Sequence, residues 1–347
     1  VPSTIDPSTA PTVAVIVPVG PGAEWLAPCL GALGRCRPRP EQLIVVIDGA
    51  GSELADLARG FGAEVVVVAD CEGPAAARNR GAARARSELL LFVDSDVEAP
   101  ADVVDRVARA FVRPTGPSAL FGSYDDSPAA PGVVSRYRNL LHHWVHQHGR
   151  RRASTFWSGC GAVRRRAFEA VGGFPERYDQ PCIEDIAFGA RLRAAGHLIE
   201  LDPSLQVRHL KRWSFGGMVW TDLLKRAIPW SELMVRDRRL LNDLNTDVTG
   251  RTSVVLVAVS LAAVAGAVVW PASLFAVAAA ALALVAVNLD FYRWLARRGG
   301  IFFAIRAVPL HWLYYLICGA GFVVGSACAV VPRRRPPPPV AQRANAA

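Results

Sequence analysis

The sequence predicts an α/β domain built on a doubly wound mixed sheet, followed by apolar helices, and three observations carry that prediction. Short apolar runs recur at 13–19, 43–47, 64–69 and 89–93. The segments 24–34 and 52–62 between them carry apolar residues at helical spacing, so strand and helix alternate. From Thr252 the composition changes to long uncharged apolar stretches.

The first run, Val13-Ala14-Val15-Ile16-Val17-Pro18-Val19, is a strand with turn residues after it, and the second ends in Asp48-Gly49. The stretch from Gly73 to Gly81 opens a helix ahead of the fourth run. That run, Leu89-Leu90-Leu91-Phe92-Val93, is bounded by polar residues and reads as a buried parallel strand. Asp94-Ser95-Asp96 then falls at its carboxyl end, where open α/β sheets bind ligands. Alternation along a strand sends residues two apart to one face, so both carboxylates are expected to approach one hard cation, which in turn holds a nucleotide diphosphate. An isolated Asp-x-Asp is more often a solvated strand end, so its neighbours have to decide.

Taken in order, those neighbours resemble a family 2 glycosyltransferase of the GT-A fold, from about Thr12 to Trp230. The matching pieces are Val17-Pro18-Val19, Asp48-Gly49, Ala77-Arg78-Asn79-Arg80-Gly81 and Asp94-Ser95-Asp96. They continue as Phe156-Trp157-Ser158-Gly159, Gly172-Gly173-Phe174-Pro175-Glu176 and Glu184-Asp185. The chain departs from the pattern at Gly20-Pro21, where relatives carry Tyr-Asn. It also has Ile47-Asp48 in place of a double Asp, and Ala187 where an acidic residue is frequent.

The resemblance implies a nucleotide-sugar donor, with Pro18, Asp48, Arg78 and Asp94 on the donor side. Asp48 can accept from the ring N–H of uracil or guanine and so leaves the base open. It also implies that Asp185 is the general base activating an acceptor hydroxyl, with Glu184 positioning the acceptor or a neighbouring side chain, and that the anomeric carbon is inverted. A base near its reference pKa is expected, already ionised at neutral pH. His209 joins Asp94 and Asp96 as a metal ligand in several relatives. Imidazole with carboxylates suits Mn²⁺, while oxygen ligands alone leave Mg²⁺ open. The acceptor side would comprise Trp157, Gly159, Arg212 and Trp213, the last two from a segment, His209-Leu210-Lys211-Arg212-Trp213, similar to the Q-x-x-R-W of membrane synthases. His142 and His146 share a helix face at metal-capable spacing. No acidic or Cys ligand lies near them in sequence, so they are expected to be structural or acceptor-side.

The formal charge is +9 over 347 residues. The Arg clusters do not alternate with aromatics on one compact module, which argues against nucleic acid. Two clusters flank apolar segments, so an anionic membrane surface is the expected partner. The seven cysteines are scattered, with no C-x-x-C spacing. Free thiols are expected, without zinc or a disulfide framework.

Segments 253–270 and 272–289 are each near the ~18-residue lower limit for a span, and are expected to form a hairpin turning at Trp270-Pro271. A third run, 310–331, is long enough to span, and 301–306 before it reads as interfacial. Arg236, Arg238, Arg239 and Arg251 precede the first span, while Arg293, Arg297, Arg298 and Arg306 follow the second. Both groups are expected in the cytoplasm. Arg333-Arg334-Arg335 conflicts with a single third span, so either that segment is re-entrant or the charge rule fails there. The stretch 214–235 reads equally as an interfacial amphipathic helix or as a core helix.

The expected organisation is a tail at 1–12 without signal-peptide features, a catalytic domain at 13–213, interfacial helices at 214–251, a membrane region at 252–331 and an Arg/Pro-rich tail at 332–347. The expected function is transfer of a sugar to a hydroxyl or phosphate acceptor, lipid-linked or glycan, by a multi-pass protein of the cytoplasmic membrane. Two alternatives are a processive polysaccharide synthase, for which the HLKRW segment argues, and a non-catalytic nucleotide-sugar-binding membrane protein.

Overall fold

The computed structural model describes residues 10–331 apart from 50, 114 and 240. The two terminal tails therefore lie largely outside the described residues. The first half alternates strand and helix: β1 (Val13–Val19), α1 (Leu26–Gly34), β2 (Gln42–Asp48), α2 (Ser52–Gly60), β3 (Glu64–Val68), α3 (Pro74–Arg84) and β4 (Leu89–Val93). There follow β5 (Val97–Glu98), α4 (Val103–Val112), β6 (Ala119–Tyr124), α5 (Val133–His148), β7 (Cys160–Arg164), α6 (Arg165–Ala170), α7 (Glu184–Ala194) and β8 (Ile199–His209).

The eight strands lie in the order β3-β2-β1-β4-β7-β6-β8-β5. The first four strands pair in parallel. β7 runs antiparallel to both β4 and β6, and makes the sheet mixed. β1 shows why such apolar strands are sandwiched. Val13, Val15, Val17 and Val19 enter a core shared with α1, α2 and α4, while Ala14 and Ile16 enter a second core on the opposite face with α3 and α7. Alternation on a sheet covered on both faces leaves no polar position to fill.

One sequence expectation changes here. The segment ahead of His209, for which residues 198–201 alone read as a strand, is an eleven-residue strand, β8, that runs on to His209, which pairs with Val97. His209 is thus the last residue of a sheet strand and is not part of the following loop.

The C-terminal part begins with α8 (Phe215–Trp220), a π-helical turn at Thr221–Ala227 and α9 (Ile228–Arg236). It continues with α10 (Val248–Gly266), α11 (Leu274–Val287), α12 (Leu289–Gly299) and α13 (Ile301–Val330). By length and composition α10 and α13 can each cross a membrane. The segment 271–287 and α12 together could form a third span, bent by 63°. The expected second span is therefore shorter than read, because α11 holds only 14 residues before the bend. Residues 301–306 are the first turns of the 30-residue α13 and not a separate interfacial piece.

A third apolar core, including Tyr137, Leu140, Met218, Phe291 and Ala307, joins α5 to these helices. A buried ion pair, Arg138 to Asp222 at 2.7 Å, crosses the same junction. Gly321 and Gly325 of α13 sit where a Cβ would overlap Ala227, Ile228 and Ser231, so these glycines let α13 lie directly against the π-turn and α9.

Candidate active site

A cleft of about 650 Å³ opens at the carboxyl ends of β1, β2 and β4, against the loop ahead of α7 and the π-turn. Of the residues singled out from sequence, Pro18, Asp48, Arg78, Asp94, Asp96, Trp157, Glu184, Asp185, His209 and Trp213 line it. Arg212 is exposed and does not; its neighbour Lys211 does. Along an extended segment adjacent residues face opposite ways, and here Lys211 and Trp213 take the inner side.

Asp48 is buried and ends β2. Its two carboxylate oxygens accept from the backbone N–H groups of Glu72 and Gly73, at 2.9 and 2.8 Å. The expected base-recognition group is therefore also the clasp of the loop that starts α3. That loop needs Gly73, whose φ is +90° and whose Cβ would overlap the backbone of Asp179.

Arg78 is the hub of the donor side. It is 4% exposed, donates to Asp94 at 2.8 Å and to Glu184 at 2.9 Å, and lies over the Phe174 ring. Glu184 also accepts from the Cys182 N–H at 2.8 Å, which fixes the turn into α7. Of the two roles expected from sequence, positioning the acceptor or a neighbouring side chain, its contacts are with a neighbouring side chain, Arg78, and with this turn.

Asp94, Ser95 and Asp96 lie in a turn after β4, so strand alternation does not govern them. Asp94 faces Arg78, whereas Asp96 lies 3.4 Å from Nε2 of His209. Burial raises the Asp94 pKa against the opposing pull of Arg78. At Asp96 burial also pushes upward, but the His209 imidazole outweighs it and the net shift is down.

Nδ1 of His209 sits 2.7 Å from Oδ1 of Asn139. With the amide assigned that way, Nδ1 donates. A protonated ring also donates from Nε2 to Asp96, the arrangement that lowers the Asp96 pKa, whereas a neutral ring turns an Nε2 lone pair toward it. A carboxylate oxygen facing a ring lone pair is satisfied by a cation between them or by a second ring proton. Asp96 and His209 therefore fit as two protein ligands of a divalent cation, the remainder being diphosphate oxygens. Among the described residues no three His, Cys, Asp or Glu side chains converge as a metal site, so the three-ligand set expected from sequence is not assembled.

Asp185 stands in the first turn of α7. One oxygen accepts from its neighbour Ile186 N–H at 2.8 Å and the other from Ser158 N–H at 3.3 Å. Gly189, one turn on, lets α7 approach closely, because a Cβ there would overlap the backbone of Thr155 and Phe156. Burial, and next the Glu184 charge, push the Asp185 pKa up to about 7. The expected ordinary pKa is corrected: this carboxyl is poised near neutrality, the range in which a general base works best.

The opposite wall is aromatic. Trp157 meets Tyr124 edge to face at 4.9 Å and lies 4.8 Å from His142, while Tyr124 stacks on His209 at 4.3 Å. Gly159 does not line the cleft. A Cβ there would overlap the Trp157 ring, so its role is to seat that indole. His146 Nδ1 pairs with the Gly122 carbonyl at 2.9 Å, and both His142 and His146 border the cleft.

Tyr124, Lys211, Lys225, Arg226 and Trp230 also line the cleft and were not identified as site residues from sequence. Tyr124 carried a readable signal, since it ends a sheet strand. Lys225 and Arg226 fall in the stretch that reads equally as an interfacial or a core helix, and in the π-turn they line the cleft.

The model of the family described as glycosyl transferase family 2 matches residues 14–172, and that described as the N-terminal domain of galactosyltransferase matches 138–212. The O-antigen biosynthesis protein RfbC of Myxococcus xanthus is 31% identical over 139 residues, covering 35% of this chain and 11% of that protein. An N-acetylglucosaminyl-diphospho-decaprenol L-rhamnosyltransferase of Mycobacterium tuberculosis is 49% identical over 57 residues, covering 16% of this chain and 18% of that protein. The chain thus matches less than a fifth of the length of either curated relative. A solved structure, the mannosyltransferase PcManGT from Pyrobaculum calidifontis in complex with GDP-Man and Mn²⁺, aligns with a TM-score of 0.54 at 18% identity, over 92% of this chain and 89% of that one. That likeness establishes the fold. With the family match running from β1 to the residues after α6, residues 14–172 form a glycosyl transferase family 2 domain.

Proposed function

We propose that this chain is a membrane-associated, inverting glycosyltransferase that moves a sugar from a nucleotide-diphosphate donor to a hydroxyl of a lipid-linked acceptor. The observation that carries the reading is Asp185. It is a half-buried carboxyl with its pKa raised to about 7, set between the acidic cluster around Arg78 and the aromatic wall of one cleft.

In the proposed reaction the acceptor hydroxyl gives its proton to Asp185 as its oxygen bonds to the anomeric carbon. The bond from that carbon to the nucleotide diphosphate breaks, and the leaving group carries away the electron pair. Attack from the face opposite the leaving group inverts the centre, and no covalent glycosyl-enzyme is required. A divalent cation at Asp96 and His209 would supply charge stabilisation to the departing diphosphate. Arg78, by pairing with Asp94 and Glu184, holds the donor floor and the α7 turn in one arrangement.

A lipid-linked acceptor is supported by the apolar helix α13, which lies against the π-turn of the cleft wall, and by the decaprenol-linked acceptor that the name of the rhamnosyltransferase relative gives for that protein. A cytoplasmic catalytic face is supported by Arg236, Arg251, Arg293, Arg297 and Arg298 around the apolar segments. The processive reading draws less support, because Arg212 of the HLKRW segment points away from the cleft.

The test is donor turnover by detergent-purified protein over a panel of nucleotide sugars, with Mn²⁺, with Mg²⁺ and with EDTA, beside Asp96→Ala. Release of one nucleoside diphosphate, cation-dependent and lost in the variant, is expected. Failure to bind any nucleotide sugar would sink the assignment.

A further inference from the structure

The donor side of the cleft satisfies its own charges, but the wall made by the π-turn does not. Asp222, the acidic residue of that turn, is committed to Arg138 in the buried pair. Arg226, four residues on, is half-buried in the cleft wall and makes no hydrogen bond or ion pair among the described residues. Lys225 beside it lines the cleft and is equally without one. Two indole N–H groups of the same cleft, on Trp213 and Trp230, are buried and have no acceptor. Two cations and two neutral donors thus face the cleft with no acceptor of their own. A cation pair left unpaired in a low-dielectric wall is costly unless a ligand brings the opposite charge.

The location of the wall indicates what kind of anion it takes. The π-turn runs into α9, and both lie directly on α13, the longest apolar helix, at Gly321 and Gly325. A ligand bound at Lys225 and Arg226 therefore sits at the junction of the cleft and the apolar helices. Isolated π-turns inside helices recur at functional sites, and this one turns the two basic residues inward.

We infer that Lys225 and Arg226 form an anion site for the acceptor, which binds the phosphate or diphosphate of a glycolipid whose hydroxyl faces Asp185. This deepens the proposed function and rests on it for the identity of the cleft. Phosphate chemistry is shared with the donor's own diphosphate, so the test has to separate the two sources.

The probes are undecaprenyl diphosphate and undecaprenol in mixed detergent micelles, read by quenching of the cleft tryptophans, with nucleoside diphosphate binding followed separately by calorimetry. The full chain is expected to prefer the diphosphate lipid by about tenfold or more, and Arg226→Ala or Lys225→Ala to remove most of that preference. Arg226→Lys should keep part of it, and nucleoside diphosphate binding should stay within about twofold in all three variants, which also shows that they fold. A loss of nucleotide binding with lipid preference intact would assign the pair to the donor and overturn the inference. So would an unchanged preference in both alanine variants. Failure of the proposed function would appear instead as absent donor turnover in the unmodified chain, which the lipid comparison does not use.

Discussion

The two sides of the cleft are built on different principles. On the floor three acidic groups are already held: Asp48 by two backbone amides, and Asp94 and Glu184 by Arg78. On the opposite wall, among the described residues, Nδ1 of His142 and the indoles of Trp213 and Trp230 are buried without hydrogen-bond partners, and Lys225 and Arg226 make no hydrogen bond or ion pair. A pre-paired floor suits a rigid platform for a small, fixed ligand such as a nucleotide. An under-satisfied wall suits a ligand that itself completes the hydrogen bonding. Asp185 lies between the two, and burial next to Glu184 keeps its pKa near 7.

The sharpest way to break that comparison is at the boundary. Asp185→Asn should cut kcat by about 10²–10⁴ while leaving nucleotide affinity nearly unchanged, as steady-state kinetics and calorimetry would reveal. If affinity for the donor fell in step with kcat, Asp185 would belong to the floor.

Next in size is the floor itself. Arg78→Ala leaves the buried Glu184 and the half-buried Asp94 without their counter-charge, and should destabilise the chain by about 3–5 kcal/mol. Denaturant unfolding in detergent checks this, and a loss below about 1 kcal/mol would show that the network does not hold the floor.

A smaller effect is expected on the acceptor side. Gly159→Ala forces a Cβ into the Trp157 ring and should cost about 1–3 kcal/mol. Its kinetic signature should be a raised acceptor KM with the donor KM unaltered, and equal changes in both would erase the division between the walls.

The smallest change is a shift in a profile. Glu184 helps to raise the Asp185 pKa, so Glu184→Gln should move the acidic limb of activity to lower pH. A limb that stays in place, or moves up, would leave burial alone to account for the pKa of Asp185.

The division also explains what could be read from the chain. The floor was legible because its residues end sheet strands or open the following helices, and a strand end is a local feature of sequence. Legibility of position did not give the state of each group. Asp48 reads as a free acceptor until the loop at Glu72 and Gly73 closes on it, and Asp94 reads as a cation ligand until Arg78 of α3 reaches it. Alternation could not be the basis for pairing Asp94 with Asp96, since the strand stops at Val93 and alternation stops with it.

The wall was largely illegible. Tyr124, His142, Lys225, Arg226 and Trp230 come from β6, α5, the π-turn and α9, and converge only because α5 and α13 dock on the same side of the sheet. Arg212 and Lys211 differ by one position, and which of them faces inward depends on the path of one extended segment. Hydropathy alone likewise left the stretch carrying Lys225 and Arg226 open between an interfacial and a core helix. A π-turn, which changes the angular spacing of the residues around them, has no signature in a period-3.6 pattern.

The most direct test of the account is the pH dependence of kcat/KM for sugar transfer, measured for the unmodified chain and for Asp185→Asn. Only the ionised carboxyl accepts a proton, so activity should fall as pH drops through about 7. The same limb should be missing from the residual activity of the variant. An identical limb in both proteins, or a variant with full activity, would contradict the assignment of Asp185 as the base between the two walls.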